Sequence, residues 1–263
     1  MSAEVGQRRF GGYELGWRGV DLRLREPAGE PQGALVLNHG RGADENDLHG
    51  VLDAIDPERR LLGVTTGGPF TGVPPGGRHW YVVERVGFPH PETFGPSYEA
   101  LSERLDGLLV ERGIEWSRTL IGGFSQGTVM SYAMALGAGR PVPAGLIAMS
   151  GFIPEVEGWE PDLAARTGLP VYIHHGAADP VIGVEFARDA RSRLTSAGRV
   201  VAGRVVVGRV VVGRVVAGPR ARARLLPRAG REWCVVLGVS LQRQWQVVCA
   251  WGVGVRKALG TRH

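Results

Sequence analysis

Cysteine is scarce in this 263-residue chain, and its positions limit what the chain can be. The two cysteines, Cys234 and Cys249, both lie near the C-terminus, and residues 1–198 contain no thiol. A disulfide framework or a cysteine-based metal site needs several cysteines at regular spacings. Both are therefore excluded for the main body of the chain, and we expect no metal ion there.

Long hydrophobic runs are also lacking. Uncharged apolar stretches such as residues 233–241 and 246–255 fall short of the roughly 18 to 20 residues that cross a bilayer. The first ten residues hold charges without the apolar segment of a secretory signal. We therefore expect a cytoplasmic protein without a membrane span.

Positive charge is unevenly distributed. Residues 199–263 contain 13 basic residues and one acid, a net charge of +12, whereas residues 1–198 contain 18 basic and 25 acidic residues, a net charge of −7. The high isoelectric point therefore belongs to the tail, and we expect no nucleic-acid partner. Binding of an anionic polymer or a membrane surface by the tail is an alternative, but valine and glycine without interleaved aromatic residues make it weak.

A five-residue repeat begins at Gly198 and reads GRVVA, GRVVV, GRVVV, GRVVA. Because a strand repeats every two residues and a helix about every 3.6, this period fits neither, and the recurring glycine weakens both. We therefore divide the chain into a domain over residues 1–198 and a basic tail over residues 199–263 that is disordered or poorly packed. Since all but one of the 31 basic residues are arginine, the gene is expected to be GC-rich. We predict a shift of reading frame near residue 198, which sequencing of the coding DNA tests.

The first 197 residues alternate short apolar runs with amphipathic stretches, which is typical of a parallel sheet flanked by helices, the α/β class. Each apolar run stops at turn residues or at a polar loop, as buried strands do. The predicted strands cover residues 34–37, 61–66, 119–122, 145–149 and 169–173. Helices are predicted over residues 97–112 and 184–197, where apolar residues recur on one face.

The segment GFSQG at residues 123–127 matches the pattern GxSxG. It directly follows a predicted strand and leads into a helical stretch, residues 128–135. A tight turn between strand and helix needs both glycines and lifts the serine hydroxyl to the carboxyl edge of the sheet, at the positive end of the helix dipole. Ser125 is therefore the candidate nucleophile, and an ordinary glycine turn is the alternative.

The segment NHGRG at residues 38–42 follows the first strong strand, where backbone N–H groups can receive the oxyanion of an acyl-transfer reaction. The Arg41 N–H is one candidate donor. The N–H of Gln126, which follows the nucleophile, is the other. For His39 we expect backbone hydrogen bonds that shape the loop, with a role in proton transfer as the alternative.

Asp179 follows the last predicted strand and lies 54 residues beyond Ser125. A triad acid must accept a hydrogen bond from an imidazole N–H and stabilise the imidazolium that forms. Asp179 is the candidate for this role. The alternative is a turn residue that caps a helix from Val181, because Asp-Pro is a common helix start. His174 and His175 are expected to pack beneath this loop.

The chain resembles the phospholipase/carboxylesterase family of α/β-hydrolases, which includes bacterial carboxylesterases and acyl-protein thioesterase-like enzymes. The stretches that carry the resemblance are NHGRGADENDL at 38–48, GGRHWYVVERVG at 76–87, GGFSQGTVMSYAMAL at 122–136, GLIAMSGFIP at 145–154 and HHGAADPVI at 174–182. The resemblance covers roughly residues 10–197 and implies an α/β-hydrolase fold, whose final strand and helix we expect to be lost or replaced.

The resemblance also implies small or acyl-chain carboxylic esters as substrates, an acyl-enzyme intermediate, and no metal or organic cofactor. The region of Trp80 lines the acyl pocket in the family, so Trp80 is a candidate pocket residue. Asn38 departs from the family because it replaces a more usual apolar residue, a change to which we assign little catalytic consequence.

The family pattern places a histidine after the acid and the last strand, and this chain has none there. Its histidines are residues 39, 49, 79, 90, 174, 175 and 263. Without an imidazole the Ser125 hydroxyl has no base to accept its proton. His79 and His90, in the loop region near Trp80, and the terminal His263 are the alternatives. The sequence thus supports two functions, a serine carboxylesterase and a catalytically inactive domain that binds esters or acyl chains.

Overall fold

A computed structural model describes residues 8–10, 13–166 and 168–196, together with five short strands between residues 206 and 246. The strands of these ranges are β1 Arg8–Phe10, β2 Tyr13–Trp17, β3 Asp21–Arg25, β4 Ala34–Asn38, β5 Leu62–Gly67, β6 Phe70–Thr71, β7 Val83–Arg85, β8 Phe88–Pro89, β9 Thr119–Phe124, β10 Gly145–Met149, β11 Val171–Gly176, β12 Val206–Gly208, β13 Leu225–Arg228, β14 Glu232–Val235, β15 Val239–Leu241 and β16 Gln244–Gln246. The α-helices are α1 His49–Ile55, α2 Pro91–Glu111, α3 Gln126–Leu136 and α4 Val184–Ser196.

A seven-stranded sheet forms the centre of the fold, in the order β12-β11-β10-β9-β4-β5-β3. Within this sheet the edge strand β3 runs antiparallel to β5, and the other neighbours are parallel. Every residue of β4, β5, β9 and β10 is buried, as expected for parallel strands covered on both faces. The α/β class and the mostly parallel sheet predicted from the apolar runs are confirmed.

Helices cover both faces of the sheet. On one face, α2, α3 and α4 contribute buried side chains such as Leu105 and Met130 to a cluster that includes Ile121 of β9. On the other face, Leu52 of α1 belongs to a second cluster that includes Leu120. Successive residues of a strand point to opposite faces, so Leu120 and Ile121 of β9 belong to cores on opposite faces of the sheet. The sheet is therefore held between two separate hydrophobic layers.

Helix α2 begins at Pro91, before its predicted start at residue 97. The prediction missed the first turns because the apolar pattern begins only at residue 97. Pro91 stands at the first helical position, where its missing N–H removes no intrahelical hydrogen bond. Gly95 and Pro96 follow and are the weakest helix formers, so they hide the first turns from a reading of periodicity. Although α2 has 21 residues, neither it nor another helix of the described ranges is long and apolar enough to cross a membrane.

A strand from the five-residue repeat extends the sheet at one edge. β12 pairs in parallel with β11, so that His174 lies opposite Val206 and Gly176 opposite Gly208. A segment of the repeat thus stands at the edge where we expected the final strand to be lost or replaced. The final helix and most of residues 199–263 lie outside the described residues, and the division of the chain at residue 198 stays a prediction.

Two residues of α2 test the assignment of its buried face. The Leu105 side chain is fully buried, whereas Val110 is 82% exposed. Leu105→Ala is expected to lower the free energy of unfolding by about 2–5 kcal/mol, because it removes buried methyl groups and leaves a cavity. Val110→Ala should change it by less than about 0.5 kcal/mol. Urea unfolding followed by circular dichroism compares the two, and equal losses would contradict the assignment.

Candidate active site

Ser125 occupies a sharp turn between β9 and α3. Its backbone has φ 53° and ψ −119°, in the positive-φ range that residues other than glycine rarely adopt. The Ser125 N–H donates to the Met149 carbonyl oxygen at 3.0 Å, and the Ser125 carbonyl oxygen accepts the Val129 N–H at 3.2 Å. Strain of this kind costs about 1–3 kcal/mol and clusters at functional sites. The predicted strand, turn and helix around Ser125 are confirmed.

Two glycines let neighbouring backbone approach this turn. A Cβ on Gly127 would lie 2.0 Å from the Asn38 carbonyl oxygen, so a residue with a side chain would push α3 away from the end of β4. A Cβ on Gly40 would lie 2.9 Å from Phe124 Cδ1 and 3.4 Å from Ser125 Cβ. The loop after β4, which carries a predicted oxyanion donor, therefore packs directly against the predicted nucleophile.

A buried chain of hydrogen bonds lies beneath the turn. The Thr66 hydroxyl donates to Asn38 Oδ1 at 2.6 Å, and Asn38 Nδ2 donates to Ser131 Oγ at 2.9 Å. Ser131 Oγ in turn donates to the Gly127 carbonyl oxygen at 2.7 Å. The chain thus connects β5, β4 and α3 at fully buried residues.

Sequence reasoning did not single out Thr66 or Ser131, and it assigned little consequence to Asn38. The structure gives Asn38 a structural role, because its side chain connects two neighbouring elements to the strand that carries it. A signal was available in the sequence, since a polar residue inside a buried apolar segment needs a hydrogen-bond partner.

Two backbone amides near Ser125 fit the predicted oxyanion donors. Gln126 is the first residue of α3, so its N–H has no acceptor within the helix and lies at the positive end of the helix dipole. In the part of the chain described, no hydrogen bond uses the Arg41 N–H, whereas the following amide, Gly42 N–H, donates to the Arg78 carbonyl oxygen at 2.9 Å. Within the described residues, neither predicted donor is thus committed to another acceptor.

The Gln126 side chain holds a neighbouring segment against the turn. Its Oε1 accepts the Trp80 N–H at 3.1 Å, and its Nε2 donates to the Tyr81 carbonyl oxygen at 2.9 Å. Trp80 is fully buried, and its indole N–H donates to the His39 carbonyl oxygen at 2.9 Å. The structure therefore places the Trp80 ring in the core beside the loop after β4, and its predicted role at the acyl pocket stays a prediction.

His39 is held by the backbone, as expected. Its Nε2 accepts the Gly68 N–H at 2.8 Å, and its Nδ1 lies 2.6 Å from the Gly40 carbonyl oxygen. The first bond requires an unprotonated Nε2, so Nδ1 carries the proton and donates it to the carbonyl. Burial lowers the pKa of His39 to about 4. Since both ring nitrogens are engaged, His39 shapes the loop and has no free nitrogen for proton transfer.

Asp179 lies in the turn after β11 with one carboxylate oxygen fixed. Oδ1 accepts the Val181 N–H at 2.9 Å and the Ile182 N–H at 3.1 Å. Oδ2 lies 3.9 Å from His175 Nε2, beyond hydrogen-bond distance. Asp179 therefore caps a turn, as the alternative expected, but this turn precedes the helix, since α4 begins only at Val184.

The register of three strands brings Ser125 and Asp179 to one edge of the sheet. Phe124 at the end of β9 lies opposite Met149 at the end of β10, which lies opposite His174 of β11. The carboxyl ends of neighbouring parallel strands meet at the same edge, where open α/β sheets bind their ligands. Both candidate residues follow these strand ends, so the fold places nucleophile and acid two strands apart on the same edge.

His79 and His90, two of the three histidines considered as alternative bases, lie against other polar groups. His79 Nε2 donates to the carbonyl oxygens of Val73 and Gly76 at 3.1 and 3.0 Å. His175 Nε2 donates to the Ile182 carbonyl oxygen at 2.7 Å, which fits the expectation that it packs beneath the Asp179 loop. His90 precedes α2 with its Nε2 3.6 Å from a Glu84 carboxylate oxygen. His263 lies outside the described residues.

Comparison with known proteins identifies a matching family and several similar proteins. The family model described as phospholipase/carboxylesterase matches residues 21–209. Acyl-protein thioesterase 1 of Debaryomyces hansenii is 27% identical over 188 residues, 64% of this chain and 78% of the thioesterase. Lysophospholipase-like protein 1 of Mus musculus is 25% identical over 185 residues, 65% of this chain and 77% of the relative. The crystal structure of a Bacillus cereus carboxylesterase shares the fold with a TM-score of 0.60 and 19% identity, covering 70% of this chain and 84% of the esterase.

Gly127 tests the contact between α3 and β4. Gly127→Ala is expected to lower the free energy of unfolding by about 1–3 kcal/mol, because the new methyl group overlaps the Asn38 carbonyl oxygen. Gly107 in α2 is the matched control, since a Cβ there would meet nothing within 4 Å. Gly107→Ala should raise stability by about 0.5–1 kcal/mol, as alanine favours a helix. Urea unfolding measures both, and a neutral Gly127→Ala would argue against the close contact.

His39 makes the protein sensitive to acid. Its pKa is about 4 in the folded chain against an ordinary value of 6.5, so between these values only the unfolded chain takes up the proton, and stability falls as the pH falls. The His39 share is about 2 kcal/mol at pH 5. His39→Gln removes this titration, so the loss of unfolding free energy from pH 7 to pH 5 should be smaller by that amount. Equal losses in both proteins would show that His39 is not a neutral buried group.

Proposed function

This chain belongs to the phospholipase/carboxylesterase family, and from that premise we propose that it acts on small or acyl-chain carboxylic esters with Ser125 as the nucleophile. The observation that carries the proposal is the strained backbone of Ser125 between β9 and the first residue of α3. Such a turn presents a serine hydroxyl at the carboxyl edge of a sheet. The printed names of the relatives, a thioesterase and a carboxylesterase, support an acyl group as the part of the substrate that reacts.

The proposed reaction uses these groups in the following order. Ser125 Oγ attacks the ester carbonyl carbon, and the N–H groups of Arg41 and Gln126 receive the negative charge that develops on the carbonyl oxygen. Collapse of this intermediate expels the alcohol and leaves an acyl-enzyme, which water hydrolyses. Asp179 is the acid that would orient a base, and the segment of Trp80 borders the acyl pocket.

The proton-transfer step lacks its usual group, because the sequence has no histidine over residues 176–262. Removal of the triad histidine of subtilisin lowers kcat by about 10⁶ and leaves roughly 10³ to 10⁴ over water from the oxyanion hole and binding. We therefore propose that the chain's own hydrolysis is slow and rests on those two contributions.

The same observation favours a second candidate function. A domain that binds esters or acyl chains without turning them over needs the pocket and the oxyanion donors but no base. The two candidates share a small-molecule ester ligand and require no metal or organic cofactor. The cytoplasm is the proposed compartment, supported by the absence of cysteine from residues 1–198, since reducing compartments do not rely on disulfides.

Hydrolysis of p-nitrophenyl butyrate at neutral pH by the full chain and by Ser125→Ala separates the two candidates. We expect a Ser125-dependent rate about 10⁶ below the usual enzyme range of roughly 1 to 10³ s⁻¹. Circular dichroism of both samples controls for folding. A rate equal to that of Ser125→Ala would select the binding domain. A rate within the usual range would mean that the chain holds its own base, to be found by substituting His79, His90 and His263.

A further inference from the structure

We propose that the carboxyl edge of the sheet between Ser125 and Asp179 binds a free imidazole, which there acts as the general base for ester hydrolysis at Ser125. The inference rests on the proposed function, because it uses the same nucleophile, oxyanion donors and acid.

The first contact of the ligand is an oriented carboxylate oxygen. Two backbone N–H groups, those of Val181 and Ile182, fix Asp179 Oδ1 and with it the direction of the carboxylate. Among the residues that the structure describes, none donates a hydrogen bond to Oδ2, because the nearby His175 Nε2 donates to the Ile182 carbonyl oxygen instead. An oriented carboxylate with an available oxygen is the acceptor that holds an imidazole N–H in a serine hydrolase.

The spacing of the strands fits one five-membered ring. β10 lies between β9 and β11, and two strand spacings put the ends of β9 and β11 about 10 Å apart. Ser125 and Asp179 follow these strand ends. An imidazole ring with a hydrogen bond of about 2.8 Å on each side spans a distance of the same order, roughly 8 Å.

Four histidines of the described residues are unsuited to the role of general base at Ser125. The nitrogens of His39 and the Nε2 atoms of His79 and His175 are committed to backbone partners. Burial lowers the pKa of His174 to about 4, so its ring is a weak base at neutral pH. Free imidazole titrates close to neutral pH and is small enough to diffuse in from solvent.

Imidazole takes up a proton and gives it back in each half of the reaction, so it is regenerated. One ring nitrogen accepts the Ser125 hydroxyl proton while Oγ bonds to the ester carbonyl carbon, and the other donates its N–H to Asp179 Oδ2. The imidazolium then gives its proton to the leaving alkoxide as the carbon–oxygen bond breaks. In the second half, imidazole takes a proton from the attacking water and returns it to Ser125 Oγ, which releases the acid.

The experiment titrates imidazole into the full chain with p-nitrophenyl butyrate at constant neutral pH until the rate saturates. Imidazole itself cleaves such esters, so the rate of Ser125→Ala at each concentration is subtracted. We expect a saturable rise of about 10² to 10⁴ in the Ser125-dependent rate, the usual contribution of a general base. Asp179→Asn should reduce the rise at least about tenfold. The matched control Asp189→Asn, on the exposed side of α4, should leave it unchanged.

A methylated analogue identifies the bound geometry. 1-Methylimidazole can accept the serine proton but has no N–H for Asp179, so its rescue should be weaker than that of imidazole in the full chain and equal to it in Asp179→Asn. A Ser125-dependent rate that does not change with imidazole concentration overturns the inference and leaves the proposed function standing. The absence of any Ser125-dependent rate, with or without imidazole, in a folded sample overturns both.

Discussion

The contact between Gly127 and the carbonyl oxygen of Asn38 is the constraint on which the candidate site depends. It brings the first turn of α3 against the end of β4, and no side chain fits between them. Because the loop that carries Arg41 continues directly from β4 and Ser125 directly precedes α3, the same contact locates both residues. The hydrogen bonds from Asn38 through Ser131 to the Gly127 carbonyl oxygen tie this contact from beneath. Backbone packing thus positions the candidate site, and the buried side chains of Asn38 and Ser131 support it with hydrogen bonds.

The electrostatics of the site favour negative charge without placing a cationic histidine near it. The N-terminus of α3 supplies partial positive charge, and burial keeps His39 neutral beside the oxyanion loop. Stabilisation of an oxyanion and transfer of a proton are separate contributions to acyl transfer, and most serine hydrolases combine them in one site. The two predicted oxyanion donors of this chain are Arg41 and Gln126, whereas its sequence has no histidine over residues 176–262 to transfer a proton.

The sequence predicts most of the central sheet, because each buried parallel strand is a short apolar run that stops at turn residues. It also predicts the turn at Ser125, since GxSxG between a strand and a helix has one geometry. The first turns of α2 escape prediction because Gly95 and Pro96 oppose helix formation locally, and packing of the longer helix overrides them. The bonds of Asn38 and the burial of Trp80 depend on partners far along the chain, from Thr66 to Ser131, and a local pattern cannot contain them.

The pairing of β12 with β11 has a consequence for alignment. The segment RVVVG that contains β12 occurs at residues 204–208 and again at 209–213. Sliding the chain by one repeat would set the same residue types opposite His174 to Gly176, so the sequence that pairs with β11 is identical in the two registers. The connection after α4 would grow from nine to fourteen residues, at a cost of roughly 0.4 kcal/mol, less than thermal energy. A periodic edge strand can therefore complete a sheet, but its sequence does not select one register. It does not determine which of the residues that follow it lies at the carboxyl edge of the sheet.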